Sequence, residues 1–396
     1  MRGSKISTEK PRTNIYLCTV SVSRVFLSPP DTGSLEKDFV MAALDSGWVA
    51  PAGPELRAFE SEVAALCNRR FGVGVSSGTA ALHLALLAMG VKQGDVVLCA
   101  TMTFVATANA ILYVGAVPVF VDSAKKTGNM SPVLLEQAIN DVTVSGRRIG
   151  AVLPVDFLGK VADYSAIVAI CVQHGIPVLA DAAESLGASH HGEPAGSFGE
   201  AAILSFNGNK IATTSGGGLV VTNDEDMADR IKFLATQSRQ PVLHYEHHEL
   251  GYNYRLSNIL AAMGRAQIRR LPSMINRRRA NRTRYRELFA TVEGVEVFGG
   301  DDREDNCWLT SITVFPGLEW TAADLSAFLE TKDIESRPLW NPMHLQPLYE
   351  HCEAFIDGSS ENLFQEGLAL PSGSNMTEGQ WGRVSGSITE FLASRG

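Results

Sequence analysis

AAILSFNGNKIATTSGGGLVVT, residues 201–222, is the stretch on which the fold turns. Two short apolar runs, AAILSF (201–206) and GLVVT (218–222), flank a polar loop that carries one lysine and three consecutive glycines. Lys210 is the only Lys or Arg between Lys160 and Arg230. A lysine in a loop is ordinarily a solvated charge. Between a Ser/Asn turn and a Thr- and Gly-rich stretch, at the end of a buried strand, Lys210 reads instead as an amine desolvated enough to lose its proton and act as a nucleophile. Gly216 to Gly218 alone would be a turn; beside Lys210 they read as backbone left open for a bulky ligand.

Upstream, the same texture repeats. VVLCA (96–100), VPVFVD (117–122), AVLPVDF (151–157) and IPVLAD (176–181) are nearly continuous apolar runs, the mark of strands buried on both faces, and helical stretches separate most of them. From about Phe71 the pattern is that of an α/β domain with a mainly parallel sheet. Past Thr222 come a charged helix (224–238), an aromatic and His-rich loop (244–254) and a long helix (257–289). Shorter elements follow: LTSITVF (309–315), a helix over 322–332 and a terminal helix over 378–394. The expected organisation is an extension of no assigned role (1–24), a large α/β domain (25–265) and a small C-terminal α+β domain (266–396).

Composition excludes several classes. The chain has 396 residues, 45% of them apolar, and a net charge of -9, which argues against binding a phosphate backbone. The arginine run Arg269, Arg270, Arg277 to Arg279, Arg282, Arg284 and Arg286 has the spacing of a solvated helix flank, and no nucleic-acid partner is expected from it. No run approaches the about 18 apolar residues of a membrane span, and Ser and Thr dilute residues 14–22 too far for a signal peptide. The six cysteines stand singly, with no CxxC pair, as free thiols in a reducing cytoplasm would. His244, His247 and His248 have spacing that could seat a metal, but GYNY beside them reads as loop and no carboxylate pair follows, so no metal is expected.

Three elements carry the chemistry. VSSGTAALHLALLAMG (75–90) opens a helix from a Gly-containing turn, and its first-turn N–H groups, with Ser77, Gly78 and Thr79, form a phosphate site. Alone this would be an ordinary N-capped helix; its glycines miss the GxGxxG spacing, and no P-loop lysine is present. In IPVLADAAESLGA (176–188), Asp181 ends a buried strand, where α/β enzymes place ligands, although alone it could equally cap a helix. A carboxylate there is what a pyridinium nitrogen needs, because the ring withdraws electrons only while protonated. Lys210 follows 29 residues later, and Ser205 is placed to donate to the same phosphate as Ser77 and Thr79. Phosphate turn, strand-end Asp and loop Lys, in that order, point to pyridoxal phosphate held as a Schiff base on Lys210.

The sequence resembles the DegT/DnrJ/EryC1/StrS family of sugar-nucleotide aminotransferases from about Phe26 to the C-terminus. The marks are SSGTAALHLAL (76–86), TFVATANAILYVGAVPVFVD (103–122), DAAESLGA (181–188), SFNGNKIATTSGGG (205–218) and GYNYRLSNILAAMGRAQ (251–267). The resemblance implies a fold-type-I, aspartate-aminotransferase-like architecture. In it Lys210 anchors the cofactor and shuttles the proton, Asp181 pairs with the pyridine nitrogen and Phe104 stacks on the ring. Glu184 stands where many members have Gln beside the cofactor hydroxyl, a departure shared with the bacillosamine-type branch. Asn258 matches a residue that reaches the phosphate from a neighbouring subunit, which implies a homodimer with shared sites. HYEHHELGYNYRLSN (244–258) and SRPLWNPMH (336–344) most resemble UDP-4-amino-4,6-dideoxy-N-acetylglucosamine transaminases. That implies L-glutamate and a UDP-linked ketosugar as substrates, with Arg337 and His344 as nucleotide or sugar contacts or as structural loop residues. GDP- or dTDP-linked ketosugars are the alternatives within the family. A sugar dehydratase on the same fold would carry His in place of Lys210, and a non-catalytic protein of this fold would not need Lys210, Asp181 and Ser205 together.

Overall fold

In the computed structural model, which describes residues 24–300 and 302–395, the apolar runs lie side by side. Of the expected extension only Arg24 is among those residues. The strands are β1 (Phe71–Val75), β2 (Val96–Ala100), β3 (Val117–Val121), β4 (Ile149–Leu153), β5 (Leu179–Asp181), β6 (Ala201–Ser205) and β7 (Gly218–Thr222). β3, β2 and β4 pair in parallel, and parallel bridges from Val152 to Val178 and from Val155 to Asp181 carry the sheet on to β5. β6, β7 and β1 follow in that order. β7 is antiparallel to both neighbours, so it alone runs against the rest. The reason is local: the twelve residues that join β6 to β7 (206–217) form a loop with no helix, which turns the chain back beside β6 instead of crossing over the sheet. The mainly parallel α/β fold read from the sequence is the fold of the protein.

Helices α1 (Ser34–Asp45) and α2 (Pro54–Leu66) precede the sheet; α3 (Gly78–Ala88), α4 (Val105–Tyr113), α5 (Pro132–Val144), α6 (Tyr164–His174) and α7 (Glu225–Ala235) alternate with its strands or follow it. Helix α8 (Asn258–Phe289) starts at Ser257, whose hydroxyl accepts from Leu260 N, and packs on α1 and α2. Its Leu271, Met274 and Ile275 join the large core, whereas Tyr285 and Phe289 join a second core with Ile312, Leu325, Val384 and Ile388. The division expected at 265/266 therefore falls inside one helix that serves both cores. Trp308, Leu309 and Leu339 return from the C-terminal part to the large core. Among the described residues no helix is long and apolar enough to cross a membrane.

The arginine run departs from its expected solvated place. Arg278 and Arg282 are buried. Arg278 donates to the Trp308 carbonyl at 2.6 Å and to Ser28 Oγ at 3.1 Å, and Arg282 donates to Asp305 at 2.6 Å. Burial pushes the Arg278 guanidinium down to about 10. Periodicity shows where charges fall on a helix, but not that carbonyls and carboxylates about 25 or 30 residues away will cover that face and satisfy them.

Candidate active site

Lys210 lies in the loop between β6 and β7, as the opening stretch implied. The loop is closed on itself by Phe206 N donating to Gly217 O at 2.9 Å and Thr214 N to Phe206 O at 2.9 Å. It is tied to α8 by Thr213 N donating to Gln267 Oε1 at 3.1 Å. The Lys210 ammonium donates to Glu184 Oε1 at 3.3 Å and sits 4.2 Å from the centroid of the Trp308 ring. Only 12% of the lysine side chain is exposed.

Asp181, at the tip of β5, accepts from Thr107 Oγ1 at 2.8 Å and from Ala183 N at 3.2 Å. Burial pushes its carboxyl upward, against the pull of those hydrogen bonds and of the Lys210 charge. Glu184 is raised for the same first reason, with the Lys210 charge opposing; its second oxygen accepts from Leu158 N at 2.8 Å. Leu158 delivers that amide from a left-handed backbone, φ 54°, a conformation that costs a branched residue on the order of 1 kcal/mol.

At the other end, Ser77 caps α3, its hydroxyl accepting from Ala80 N at 3.0 Å. A Cβ on Gly218 would fall 2.3 Å from the Ser77 carbonyl oxygen, and one on Gly78 3.1 Å from Ser205 Cβ. Only a glycine at 218 lets the start of β7 close on the first turn of α3, and Gly78 leaves Ser205, at the end of β6, close beside that turn. Ser77, Gly78, Thr79, Phe104, Asp181, Glu184, Ser205 and Lys210 all line one cavity of about 990 Å³. The Phe104 ring, 60% exposed, stands at the start of α4. The set fits pyridoxal phosphate: helix amides and hydroxyls for the phosphate, a buried carboxylate for the ring nitrogen, an exposed aromatic for the ring face and one amine for the carbonyl carbon.

Three expected residues need separate description. Arg337 lines the cavity rim, its guanidinium donating to Glu335 at 3.0 and 3.1 Å. His344 does not reach the cavity: its ring lies between Thr101 Oγ1 (2.7 Å) and Glu361 (3.2 Å), a structural bridge within the fold. Asn258 is not brought to the cavity within this chain. It is buried, its Oδ1 accepting from Leu56 N at 3.0 Å and its Nδ2 donating to the Trp48 carbonyl at 2.8 Å, so its amide ties α8 to α2. Sequence reasoning missed Trp308 and Thr107. Thr107 lay within a quoted stretch, one turn past Phe104 on α4; nothing around Trp308 in the sequence signals a site.

Asp156 lies directly behind Asp181, its N–H donating to the Asp181 carbonyl at 3.0 Å. Its carboxylate accepts from Ser185 Oγ at 2.5 Å and Ala162 N at 2.9 Å, and burial pushes it up to about 7. The folded protein then keeps a proton that the unfolded chain has released above its ordinary value near 4, so this group's contribution is full below about pH 4 and is lost as pH rises toward 7. Asp156→Asn is expected to gain on the wild type by up to about 1.4 kcal/mol per pH unit across that window. Parallel Tm-versus-pH profiles for the two proteins would refute it.

Comparison with known proteins places this geometry. The profile of the DegT/DnrJ/EryC1/StrS aminotransferase family matches residues 30–389. EpsN of Bacillus subtilis (strain 168) is 45% identical over 369 residues, covering 91% of this chain and 94% of that protein. GDP-perosamine synthase of Caulobacter vibrioides is 33% identical, covering 93% and 98%. The crystal structure of a DegT DnrJ EryC1 StrS aminotransferase from Brucella abortus superposes with a TM-score of 0.83 at 28% identity, covering 90% of this chain and 95% of that one.

Proposed function

The chain belongs to the DegT/DnrJ/EryC1/StrS aminotransferase family, and within it we propose a specific reaction. It is a pyridoxal-phosphate-dependent sugar aminotransferase, which takes nitrogen from an amino donor and delivers it to a nucleotide-linked ketosugar. The donor on our reading is L-glutamate. The acceptor is a UDP-linked 4-keto-6-deoxy-N-acetylhexosamine, aminated at C4 to UDP-4-amino-4,6-dideoxy-N-acetylglucosamine. The observation that carries the choice is Glu184, 3.3 Å from the Lys210 amine: it is a carboxylate, as in the bacillosamine-type branch, where much of the family has an amide. The segments 244–258 and 336–344 support it, and Arg337 at the rim suits a diphosphate. The 33% identity to a GDP-perosamine synthase favours a GDP-linked sugar as the second reading.

When bound, pyridoxal phosphate supplies an electron sink for the carbon that exchanges nitrogen. The residues of the chain do the remaining work. Lys210 Nζ would hold the cofactor at its carbonyl carbon and would move the proton at the sugar C4. Asp181 would keep the ring nitrogen protonated, the first turn of α3 with Thr79 and Ser205 would hold the phosphate, and Phe104 would cover one ring face. Glu184 holds the amine and would face the ring hydroxyl.

The active unit on this reading is a homodimer with shared sites. Exposed apolar side chains concentrate at Trp48 and Val49 and in the loop bearing Val242, Leu243, Tyr245 and Leu250, surface that a partner subunit would cover. On this reading the partner's contribution, expected of Asn258, is better assigned to the exposed Asn253. Asn258 cannot turn outward without stranding the Leu56 amide and the Trp48 carbonyl, whereas Asn253, on the same quoted stretch, is exposed.

Incubation with glutamate and a panel of UDP-, GDP- and dTDP-linked 4-ketosugars, read by product mass, tests the assignment. Aminated product is expected from the UDP-linked N-acetylhexosamine at a kcat/KM at least about tenfold above the others, the discrimination that a few differing contacts supply. Conversion of GDP- or dTDP-linked sugars alone would overturn it.

A further inference from the structure

Lys210 is held on two sides. Glu184 is one jaw and the face of Trp308 the other, and neither is free to drift. The Trp308 indole Nε1 donates to the Asn209 carbonyl at 2.8 Å, which ties the ring to the residue preceding the lysine it covers. The Trp308 amide donates to Asn306 Oδ1 at 2.8 Å, and its carbonyl accepts from the buried Arg278 at 2.6 Å. Asn306 spends its own Nδ2 on the carbonyls of Glu184 at 2.8 Å and Leu186 at 3.1 Å. One buried asparagine thus fastens the backbone of both jaws and fixes the gap between them.

We infer that Glu184 and Trp308 form a clamp that parks the Lys210 ammonium at the cavity wall whenever the amine is not engaged with a ligand, with Trp308 as a positioning residue that Asn306 and Arg278 hold in place. The inference deepens the aminotransferase reading, in which the lysine must be released and recaptured in every cycle. A long, flexible side chain freed into a cavity of about 990 Å³ would sample many rotamers. A carboxylate on one side and an aromatic face on the other restrict it to one place. The choice of tryptophan follows: its ring has the strongest attraction for a cation among the aromatic side chains, and its N–H supplies the tether to Asn209. Asp181 is the other ionisable group whose field the lysine shares.

The test reads the amine itself. Cofactor-free protein is treated with formaldehyde and cyanoborohydride, and methylation of Lys210 is followed by peptide mass spectrometry in wild type, Trp308→Phe, Trp308→Leu and Glu184→Gln. A parked ammonium reacts slowly. Trp308→Leu is expected to label about 2- to 30-fold faster, the range a desolvated cation–aromatic contact supports, and Trp308→Phe to fall between it and wild type. Glu184→Gln keeps the volume and removes the charge, so it separates holding from access; it is expected to label faster as well. If Trp308→Leu does not fold, Trp308→Phe and Glu184→Gln decide the matter. Wild-type labelling rates in the folded variants would overturn the clamp. Wild-type holoenzyme mixed with L-glutamate, and then with other amino acids, serves as the separate control: a cofactor spectrum unchanged by glutamate would sink the donor assignment, one unchanged by every amino donor would sink the aminotransferase reading, and either would leave the labelling comparison standing.

Discussion

Lys210→Ala is expected to lower turnover on the order of 10⁴-fold and to abolish the yellow absorbance of the purified holoenzyme. On the proposed mechanism the amine is both the anchor of the cofactor and the group that moves the proton, and loss of a positioned acid–base group alone costs about 10²- to 10⁴-fold. Among the described residues no other lysine lines the cavity, so none of them can substitute. The fold should tolerate the change, because among the described residues the removed ammonium is held by Glu184 and the Trp308 face alone, and Glu184 already holds its proton more firmly than an exposed carboxyl does. Steady-state kinetics, the visible spectrum and thermal melting of the same sample check the three statements together. A Lys210→Ala protein that transaminates within tenfold of wild type would sink the mechanism.

Asp181→Asn should be the next most damaging change, with turnover down on the order of 10³-fold while the holoenzyme stays yellow. Asparagine has the same shape and can still accept from Thr107, but it carries no charge to hold a proton on the ring nitrogen, and an unprotonated ring is a poor electron sink. The two variants therefore separate by colour: one loses the bond to the cofactor, the other the electronic pull. If Asp181→Asn keeps wild-type turnover, the strand-end carboxylate is structural, and the proposed orientation of the cofactor is wrong.

The sheet and the heart of the site were legible because each rests on local chemistry. A buried parallel strand must be apolar throughout, so β2, β3 and β7 stand out in the sequence, and GLVVT matches β7 residue for residue. A phosphate turn, a strand-end acid and a solitary loop lysine are likewise short signals. What failed to show depends on contacts between distant segments. Helices α1 and α2 precede the first clear strand and have no chemistry to mark them. Asn258 sits in a stretch typical of the family, yet its role within the chain is decided by Leu56 and Trp48, about 200 residues away. The Thr101 and Glu361 partners of His344 and the burial of Arg278 beneath Trp308 are of the same kind. Trp308 looks like any core tryptophan until the chain brings it against Lys210.

Helix α8 has a mechanical consequence. Because it supplies side chains to both cores as one continuous helix, bending about residues 265/266 would break backbone hydrogen bonds in mid-helix, even though Pro272 leaves one of them unmade, so the C-terminal part does not swing as a free flap. The helix acts as a girder, and it grips the lysine loop directly through Gln267 and the Trp308 carbonyl through Arg278. Sugar nucleotides must then come and go by movement of surface loops and rim side chains such as Arg337, over a floor whose geometry is set once, when the chain folds.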